Sequence, residues 1–261
     1  MRLNILTMTL AGLISFGFVG WRVHEMHRRA VSHVGIIEDL SASHPDGCSS
    51  LQGITEHLLD RKTVSSGSWL TFLAIGDEST ANEPKLVARY PIPVNRRIME
   101  GPKTGLRHRQ EILTDLKMRC GKLRPTMVSP IFQGVKQGVA ELRRLGCRTD
   151  SSCKLWIDSD LEENAVAAIK TTLEHPGNKS QAFPLPLDNE GISVAFCGFA
   201  VTTGRIVDPS GREIRKPRPR DPNHDDNLRR TWARLFTKPE LVTFDPYCPA
   251  PRRSDVTGDV R

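Results

Sequence analysis

Short apolar runs alternate along the chain with longer segments in which apolar residues recur at helical spacing. The short runs predict buried strands, and segments such as Leu51, Ile54 and Leu58 predict amphipathic helices. The predicted strands begin at Val34 and otherwise cover residues 69–75, 86–90, 154–160, 192–201 and 241–244. The predicted helices cover residues 49–60, 107–120, 162–173 and 225–236, and one more begins with Ser129 as its N-cap and Pro130 in its first turn.

This alternation predicts the fold class. Apolar strands separated by amphipathic helices are typical of an α/β domain with a doubly wound, mainly parallel central sheet and helices on both faces, similar to a Rossmann fold. Pro91 and Pro93 follow the strand at residues 86–90 and mark it as an edge strand, since proline cannot donate a ladder hydrogen bond. Ligands of such sheets bind beyond the carboxyl ends of the strands, where Asp39 and Asp160 lie.

One N-terminal hydrophobic helix is expected to precede this domain. Residues 3–21 carry no charge and follow Arg2, and a helix of about 20 apolar residues spans a bilayer. A cleaved signal peptide has the same basic start, but no small-residue cleavage site stands near the end of this run. We therefore interpret residues 1–30 as a membrane anchor and linker, with a signal segment as the alternative.

The cysteines and the flanking charges give opposite indications about the compartment. Six cysteines, without a Cys-x-x-Cys pair or a zinc pattern, favour disulfides in an oxidising compartment, and Cys147 and Cys153 flank a short loop that a disulfide would close. Cys197 lies in an apolar run and is predicted to be a buried thiol. Arginines that follow the apolar segment would instead keep the domain in the cytoplasm. We expect an extracytoplasmic domain, periplasmic or extracellular, with the cytoplasmic orientation as the alternative.

Composition narrows the class of protein. The chain has 261 residues, of which 38% are hydrophobic and 26% charged, as in a folded domain. Its net charge of +7 is a mild excess, and no nucleic-acid reader motif accompanies it, so no nucleic acid is expected as a partner. We assign residues 31–248 to one domain, residues 204–222 to a basic hairpin or insertion loop within it, and residues 249–261 to a polar tail that is predicted to be disordered.

Asp39, Ser41 and Ser43 occupy alternate positions where the first strand gives way to a loop. A curled loop brings one carboxylate and two hydroxyls to one point, and oxygen ligands of this kind suit Mg²⁺. Taken alone, the three residues fit a turn capped by Asp39 better than a metal site. Ser129 before a helix and Asp160 after a strand make a metal site the better interpretation, because both are expected at the same edge of the sheet as Asp39.

The three segments, in this order, resemble the metal-ion-dependent adhesion site of the von Willebrand factor A family. Residues 39–43 match its Asp-x-Ser-x-Ser motif. Ser129 stands where the family has a threonine before a helix, with Thr126 as a possible substitute ligand. Asp160 matches the aspartate of the family's Thr/Ser-Asp-Gly-Glu segment, and the resemblance extends over about residues 31–245.

The resemblance implies a fold, a cofactor and a mode of binding. The ion would be Mg²⁺, or Mn²⁺ or Ca²⁺ in its place, and its open position would take a carboxylate oxygen from a partner protein. No bond would be made or broken, so the protein would not be an enzyme. The implied metal ligands are Asp39, Ser41, Ser43, Ser129 and Asp160.

Two alternatives stay open. A metal-dependent hydrolase or transferase would use Asp39 and Asp160, and Asp158 with Asp160 forms the Asp-x-Asp pair seen in sugar-nucleotide transferases. A scaffold protein would keep the same residues as an empty, degenerate site. Glu162 and Glu163 are interpreted as the acidic first turn of the helix at residues 162–173, where they would favour the helix dipole.

Overall fold

The computed structural model describes most of the chain between residues 32 and 249. The described residues are 32–41, 48–60, 64, 67–77, 83–92, 102–126, 128–148, 153–163, 165–174, 183–199, 201–207, 213–219 and 222–249. The predicted anchor at residues 3–21, Ser43 and residues 250–261 of the predicted tail lie outside them. Within these ranges, no helix combines the length and the apolar character needed to cross a bilayer.

Six strands of the described chain form one mixed sheet. With two further strands that form a separate hairpin, the strands in chain order are β1 (Val34–Asp39), β2 (Trp69–Ile75), β3 (Lys85–Pro91), β4 (Cys153–Asp158), β5 (Ile192–Cys197), β6 (Val201–Val207), β7 (Glu213–Pro219) and β8 (Val242–Phe244). The sheet order is β3-β2-β1-β4-β5-β8. Its strands pair in parallel except β3, which lies antiparallel to β2 at one edge, as predicted. Strands β6 and β7 form a separate antiparallel hairpin, which begins three residues before the predicted basic segment at residues 204–222.

Helices cover both faces of this sheet. They are α1 (Cys48–Asp60), α2 (Pro102–Cys120), α3 (Ile131–Arg144), α4 (Ala167–Glu174) and α5 (Pro222–Ala233), and a short 3-10 helix, Pro239–Leu241, precedes β8. Because side chains alternate along a strand, Ile36 belongs to an apolar cluster with Leu58 of α1, and Ile37 belongs to the opposite cluster with Val135 of α3. The predicted doubly wound α/β fold is therefore confirmed.

Helix α3 lies close to the sheet because two of its residues are glycines. A Cβ atom at Gly134 would lie 2.7 Å from Cγ2 of Ile75, and one at Gly138 would lie 2.8 Å from Cδ1 of Leu155. Both separations are well inside the contact distance of about 3.5–4.0 Å between carbon atoms. Since Ile75 ends β2, the N-terminal end of α3 lies at the carboxyl edge of the sheet.

Three local differences from the predictions change the candidate site. Strand β4 ends at Asp158, two residues earlier than predicted. Helix α4 begins at Ala167, so Glu162 and Glu163 lie in a loop and do not open a helix. The prediction of Ser129 as the N-cap of α3 is also wrong: the N-cap position is Pro130, and the N–H of Phe132 bonds to Glu163.

All six cysteines form disulfides. Cys147 pairs with Cys153, the pairing that the short loop between them suggested. The prediction of a buried thiol at Cys197 is wrong, because it pairs with Cys248. The strand ends at Cys197, earlier than predicted, and the segment after β8 returns alongside this end. The third disulfide joins Cys48 of α1 to the last residue of α2, Cys120. Three disulfides indicate an oxidising, extracytoplasmic compartment.

Candidate functional site

Asp39 lies at the centre of the candidate site. It is the last residue of β1 and is fully buried. Its Oδ1 atom accepts a hydrogen bond from the backbone N–H of Ser41 at 2.8 Å. Its Oδ2 atom accepts hydrogen bonds from the hydroxyls of Ser129 and Ser159, each at 2.7 Å. One carboxylate therefore joins three loops at the carboxyl edge of the sheet.

Gly76 lies where the loop after β1 and the loop before α3 come together. It follows β2 with a φ of +73°, a left-handed conformation that glycine adopts without strain. Its carbonyl accepts a hydrogen bond from the N–H of Thr126 at 2.9 Å. A Cβ atom at this position would lie 3.0 Å from both the backbone N of Ser41 and the backbone O of Val128. The loop before α3 thus approaches the loop after β1 across a residue that has no side chain.

Asp77, the residue after Gly76, holds the loop before α3 in place. Its Oδ1 atom accepts a hydrogen bond from the backbone N–H of Arg124 at 2.8 Å, and its Oδ2 atom forms an ion pair with Nζ of Lys85 at 2.8 Å. A backbone bridge also joins Asp77 to Pro125. These contacts fix the segment that leads into Ser129.

The loop after β4 carries Ser159, Asp160 and Leu161, all of them buried. The Ser159 hydroxyl donates to Asp39 and accepts the N–H of Leu161 at 3.0 Å. Asp160 accepts the N–H of Glu162 on Oδ1 at 3.1 Å. Leu161 has a φ of +63°, the conformation that the glycine of the von Willebrand factor A motif would adopt freely. The indole N–H of Trp232 donates to the Leu161 carbonyl at 3.1 Å and supports this strained turn.

Glu163 connects this loop to helix α3. Its Oε2 atom accepts the N–H of Phe132, in the first turn of α3, at 2.7 Å. Its Oε1 atom accepts the N–H groups of Ala165 at 2.8 Å and Val166 at 3.1 Å. Burial raises the pKa of the Glu163 carboxyl above its ordinary value, while these backbone N–H groups act in the opposite direction. The segments that carry Ser129 and Asp160 are therefore tied to each other as well as to Asp39.

The remaining predicted residues occupy different environments. Ser41 is buried beside Asp39, and Ser43 lies outside the described residues. The hydroxyl of Thr126 donates to the carbonyl of Val128 at 3.0 Å and accepts the N–H of the same residue at 3.2 Å, so it bonds within its own loop. Of the two candidate hydroxyls before α3, Ser129 is the one that contacts Asp39.

A second group of potential metal ligands is excluded by its chemistry. Side-chain atoms of Asp158, Cys197 and Cys248 lie within 4.8 Å of one another. The two cysteines are bonded to each other, so neither offers a thiolate to a metal. The 3.0 Å approach of the Cys248 sulfur to Oδ1 of Asp158 is a contact and not a hydrogen bond, because a disulfide sulfur carries no proton.

The donors around Asp39 fit a hard divalent cation. Carboxylate and hydroxyl oxygens are the ligands that Mg²⁺, Mn²⁺ and Ca²⁺ prefer. Burying several carboxylates near one another is costly without a compensating positive charge. Asp39, Asp160 and Glu163 are buried carboxylates on the loops that meet at this site.

Comparison with known proteins adds little to this picture. No protein-family model and no curated protein matches the chain. The crystal structure of the conserved hypothetical protein BatB from Bacteroides thetaiotaomicron is similar over 83% of this chain and 90% of that one, at 9% identity and a TM-score of 0.41.

Two further solved structures are similar at the same level. Proximal thread matrix protein 1 from the mussel byssus has 13% identity and a TM-score of 0.43, over 84% of this chain and 44% of that one. The three N-terminal domains of the type V pili tip protein Mfa5 from Porphyromonas gingivalis have 10% identity and a TM-score of 0.43, over 82% of this chain and 47% of that one.

Four residues of the site were not singled out by the sequence as site residues: Gly76, Asp77, Ser159 and Glu163. For two of them the sequence holds a signal. Gly76 and Asp77 directly follow an apolar strand at the ligand-binding edge, which is where a left-handed turn and a loop-anchoring carboxylate are expected. Ser159 stands at the Thr/Ser position of the Thr/Ser-Asp-Gly-Glu segment, and Glu163 follows Asp160 by three residues. Their partners Asp39 and Phe132 lie 120 and 31 residues away, so the local sequence does not show what they contact.

Proposed function

We propose that the chain is a von Willebrand factor A-like domain that binds a partner protein through a divalent cation. The proposed ligands are Asp39, Ser41, Ser129 and Asp160, together with Ser43 of the same motif. The observation that carries the proposal is the convergence of Ser129 and Ser159 on Oδ2 of Asp39 at 2.7 Å. It brings all three parts of the sequence motif to one buried carboxylate.

The charge and the hardness of the ion determine what it would contribute. Mg²⁺ prefers octahedral oxygen coordination and keeps several waters. A carboxylate of the partner would replace one of these waters, and the cation would offset the negative charge of Asp39 and Asp160. Recognition would then require an acidic residue on the partner, and no covalent chemistry would follow.

The proposed location is the extracytoplasmic face of a membrane. The disulfide between α1 and α2 and the two others support an oxidising compartment. Anchoring through residues 3–21 would hold the domain at the membrane surface, where the carboxyl edge of the sheet would meet a partner in the same compartment. Reporter fusions on either side of residues 3–21 test this orientation.

Cation binding by the full-length protein tests the proposal. Titration calorimetry with Mn²⁺ and Mg²⁺ is expected to show one saturable site in the unchanged protein and none in Asp39→Ala. A bound ion also stabilises the fold, by about 2.7 kcal/mol at a hundredfold excess over the dissociation constant, so thermal unfolding should shift upwards with Mn²⁺. Asp188→Ala is the matched control, because Asp188 also accepts the N–H two residues on but lies exposed beside Arg143.

The partner is tested by affinity capture with and without a chelator. Retention in Mg²⁺ and release in chelator, with no retention by Asp39→Ala, is the expected result. Equal cation affinity in Asp39→Ala and in the unchanged protein would contradict the proposal. If the unchanged protein binds no cation at all, the empty scaffold becomes the better description.

A second candidate function is hydrolysis or transfer by a metal-dependent enzyme that uses Asp39 and Asp160. The observation that favours it is a histidine near the same loop: Nε2 of His224 lies 2.7 Å from Oε1 of Glu162, and both side chains are partly exposed. A histidine held by a carboxylate is a common general base. Turnover of phosphoesters or sugar nucleotides that is lost in both Asp160→Asn and His224→Gln would favour this function over adhesion.

A further inference from the structure

Helix α3 begins without a cap of its own. The first N–H groups of any helix lack partners within the helix, and the N-cap position here is Pro130, which supplies no side-chain bond. Ser129 directly precedes Pro130. A serine in this position ordinarily accepts a hydrogen bond from the backbone N–H of the third residue after it. That N–H belongs to Phe132. A serine hydroxyl can accept this N–H with its oxygen and donate its proton to Asp39, but only where a single side-chain torsion angle χ1 suits both bonds.

Glu163 accepts the N–H that a capping serine would otherwise accept. Its Oε2 atom accepts the Phe132 N–H at 2.7 Å, across 31 residues of chain. The carboxylate is only 2% exposed, and its other oxygen is held by two backbone N–H groups of its own loop. A negative charge at this position also suits the positive end of the helix dipole. The helix is thus capped by a residue from another loop, and the Ser129 hydroxyl donates to Asp39.

We infer that Glu163 is a positioning residue of the candidate cation site. It acts through Ser129: by accepting the Phe132 N–H, it leaves the χ1 angle of Ser129 to be set by the hydrogen bond to Asp39. It also ties the loop that follows Asp160 to the start of α3. The inference rests on the proposed function, because Ser129 matters to an ion only if the site binds one. Residues that orient metal ligands in this way typically change metal affinity by about 10-fold to 100-fold when they are replaced.

The variant Glu163→Gln tests the inference. Glutamine keeps one oxygen but places an NH₂ group opposite a backbone N–H, and two donors cannot bond to each other. The Phe132 N–H, or the N–H groups of Ala165 and Val166, would lose their acceptor. The dissociation constant for Mn²⁺, measured by titration calorimetry on the full-length protein, is expected to rise by about 10-fold or more.

Glu141→Gln is the matched control. Glu141 lies on the same helix and accepts hydrogen bonds from Arg89 and Arg144, so its replacement also removes charged contacts of α3. It contacts neither Asp39 nor Ser129, and Mn²⁺ affinity is expected to stay unchanged even where the melting temperature falls. A merely structural role of Glu163 would produce the same pattern as this control.

The double variant Ser129→Ala, Glu163→Gln identifies the route of the effect. If Glu163 acts through Ser129, the second substitution adds no further loss of Mn²⁺ affinity to that of Ser129→Ala. Independent, multiplying losses would overturn the inference. So would a Glu163→Gln protein that binds Mn²⁺ as the unchanged protein does.

A metal-free measurement separates this inference from the proposed function. The side-chain torsion angle χ1 of Ser129, measured by NMR without any divalent ion, is expected to change in Glu163→Gln and to stay the same in Glu141→Gln. An unchanged χ1 would overturn the inference, whatever the protein does with Mn²⁺. A changed χ1 in a protein that never binds a cation would support the role of Glu163 and reject the proposed function alone.

Discussion

The hydroxyl of Ser129 donates a hydrogen bond to Oδ2 of Asp39 over 2.7 Å, although 90 residues separate the two in the chain. Both residues are fully buried. A buried hydrogen bond to a charged acceptor contributes about 1.5–3 kcal/mol to stability. The bond also makes the candidate site depend on tertiary structure, because it forms only when α3 has packed against the end of β1.

The left-handed glycine after β2 is expected to be intolerant of any side chain. Gly76→Ala forces a φ of +73° on an L-residue, which costs about 1–2 kcal/mol. It also places a Cβ atom 3.0 Å from the backbone of Ser41 and of Val128, which pushes the two loops apart. We expect urea unfolding to show a loss larger than the conformational cost alone, together with weaker Mn²⁺ binding.

Gly146→Ala is the control for this prediction. Gly146 has a φ of +99°, and a Cβ atom there would meet nothing within 4 Å. Its replacement should therefore show the conformational cost without the crowding, and Mn²⁺ binding should not change. Equal losses of stability in the two variants would contradict the assigned role of Gly76.

At position 161, glycine is expected to give a more stable protein than alanine, which reverses the usual order of stability. Its φ of +63° disfavours any residue with a Cβ atom, while its side chain is completely buried. Either substitution loses packing worth about 2–5 kcal/mol, but Leu161→Gly should be more stable than Leu161→Ala by about 1–2 kcal/mol because it relieves the strain.

The same pair of substitutions at Leu173 provides the comparison. Leu173 is buried in the same apolar cluster but lies in the regular helix α4. There alanine should be more stable than glycine by about 0.8–1.0 kcal/mol, the ordinary helix preference. Urea unfolding of the four variants measures both differences, and the same sign at the two positions would show that the Leu161 turn is not strained.

Acid is expected to destabilise the fold through His33. Nδ1 of His33 accepts the backbone N–H of Trp69 at 3.1 Å, so the ring must be neutral at that nitrogen. Burial lowers the pKa of His33 below its ordinary value of 6.5, against a backbone hydrogen bond to Leu145 that raises it. The unfolded chain then takes up the proton first. The stabilisation is therefore complete above pH 6.5 and is lost as the pH falls through the lowered pKa of the folded state.

The variant His33→Asn isolates this contribution, because asparagine keeps an acceptor for the Trp69 N–H and does not titrate. The difference in unfolding free energy between the unchanged protein and His33→Asn should become smaller as the pH is lowered from neutrality. A difference that stays constant with pH would show that His33 does not contribute.

The disulfides should differ in how much they contribute to the free energy of unfolding. Cys48 and Cys120 are 72 residues apart, whereas Cys147 and Cys153 are 6 residues apart. Loop-closure entropy predicts about 4 kcal/mol for the long loop and about 2 kcal/mol for the short one. Replacing each pair by alanines and measuring unfolding in guanidinium tests this order. The reverse order would mean that contacts in the folded state outweigh the entropy of the unfolded chain.

The architecture could be predicted because its signals are local. Strands β1 and β2 are covered on both faces, so β2 is apolar except for Thr71, and β1 is without polar side chains until Glu38 and Asp39 at its carboxyl end. Helix α1 shows its buried face through Leu51, Ile54 and Leu58, at helical spacing. The positions of Asp39 and Asp160 at the carboxyl edge follow from the same alternation, because parallel strands all end at one edge.

The details of the site could not be predicted in this way. The Phe132 N–H at the start of α3 bonds to Glu163, whose carboxylate arrives from a different loop, and the Ser129 hydroxyl donates to Asp39. The pairing of Cys197 with Cys248 likewise depends on where the chain returns after β8. A residue pattern records the neighbours of a side chain along the chain, but not those across the fold.

The sequence by itself therefore determined which strands and helices form the sheet and its covering layers, although not where β4, β5 and α4 begin or end, and it determined the edge of the sheet at which the motif lies. Only the tertiary structure decided which hydroxyls donate to Asp39, which residue caps α3 and which conformation Leu161 adopts. The physical reason is the range of the interactions: hydrophobic periodicity acts within one element, whereas these hydrogen bonds join loops that come together only when both faces of the sheet are covered.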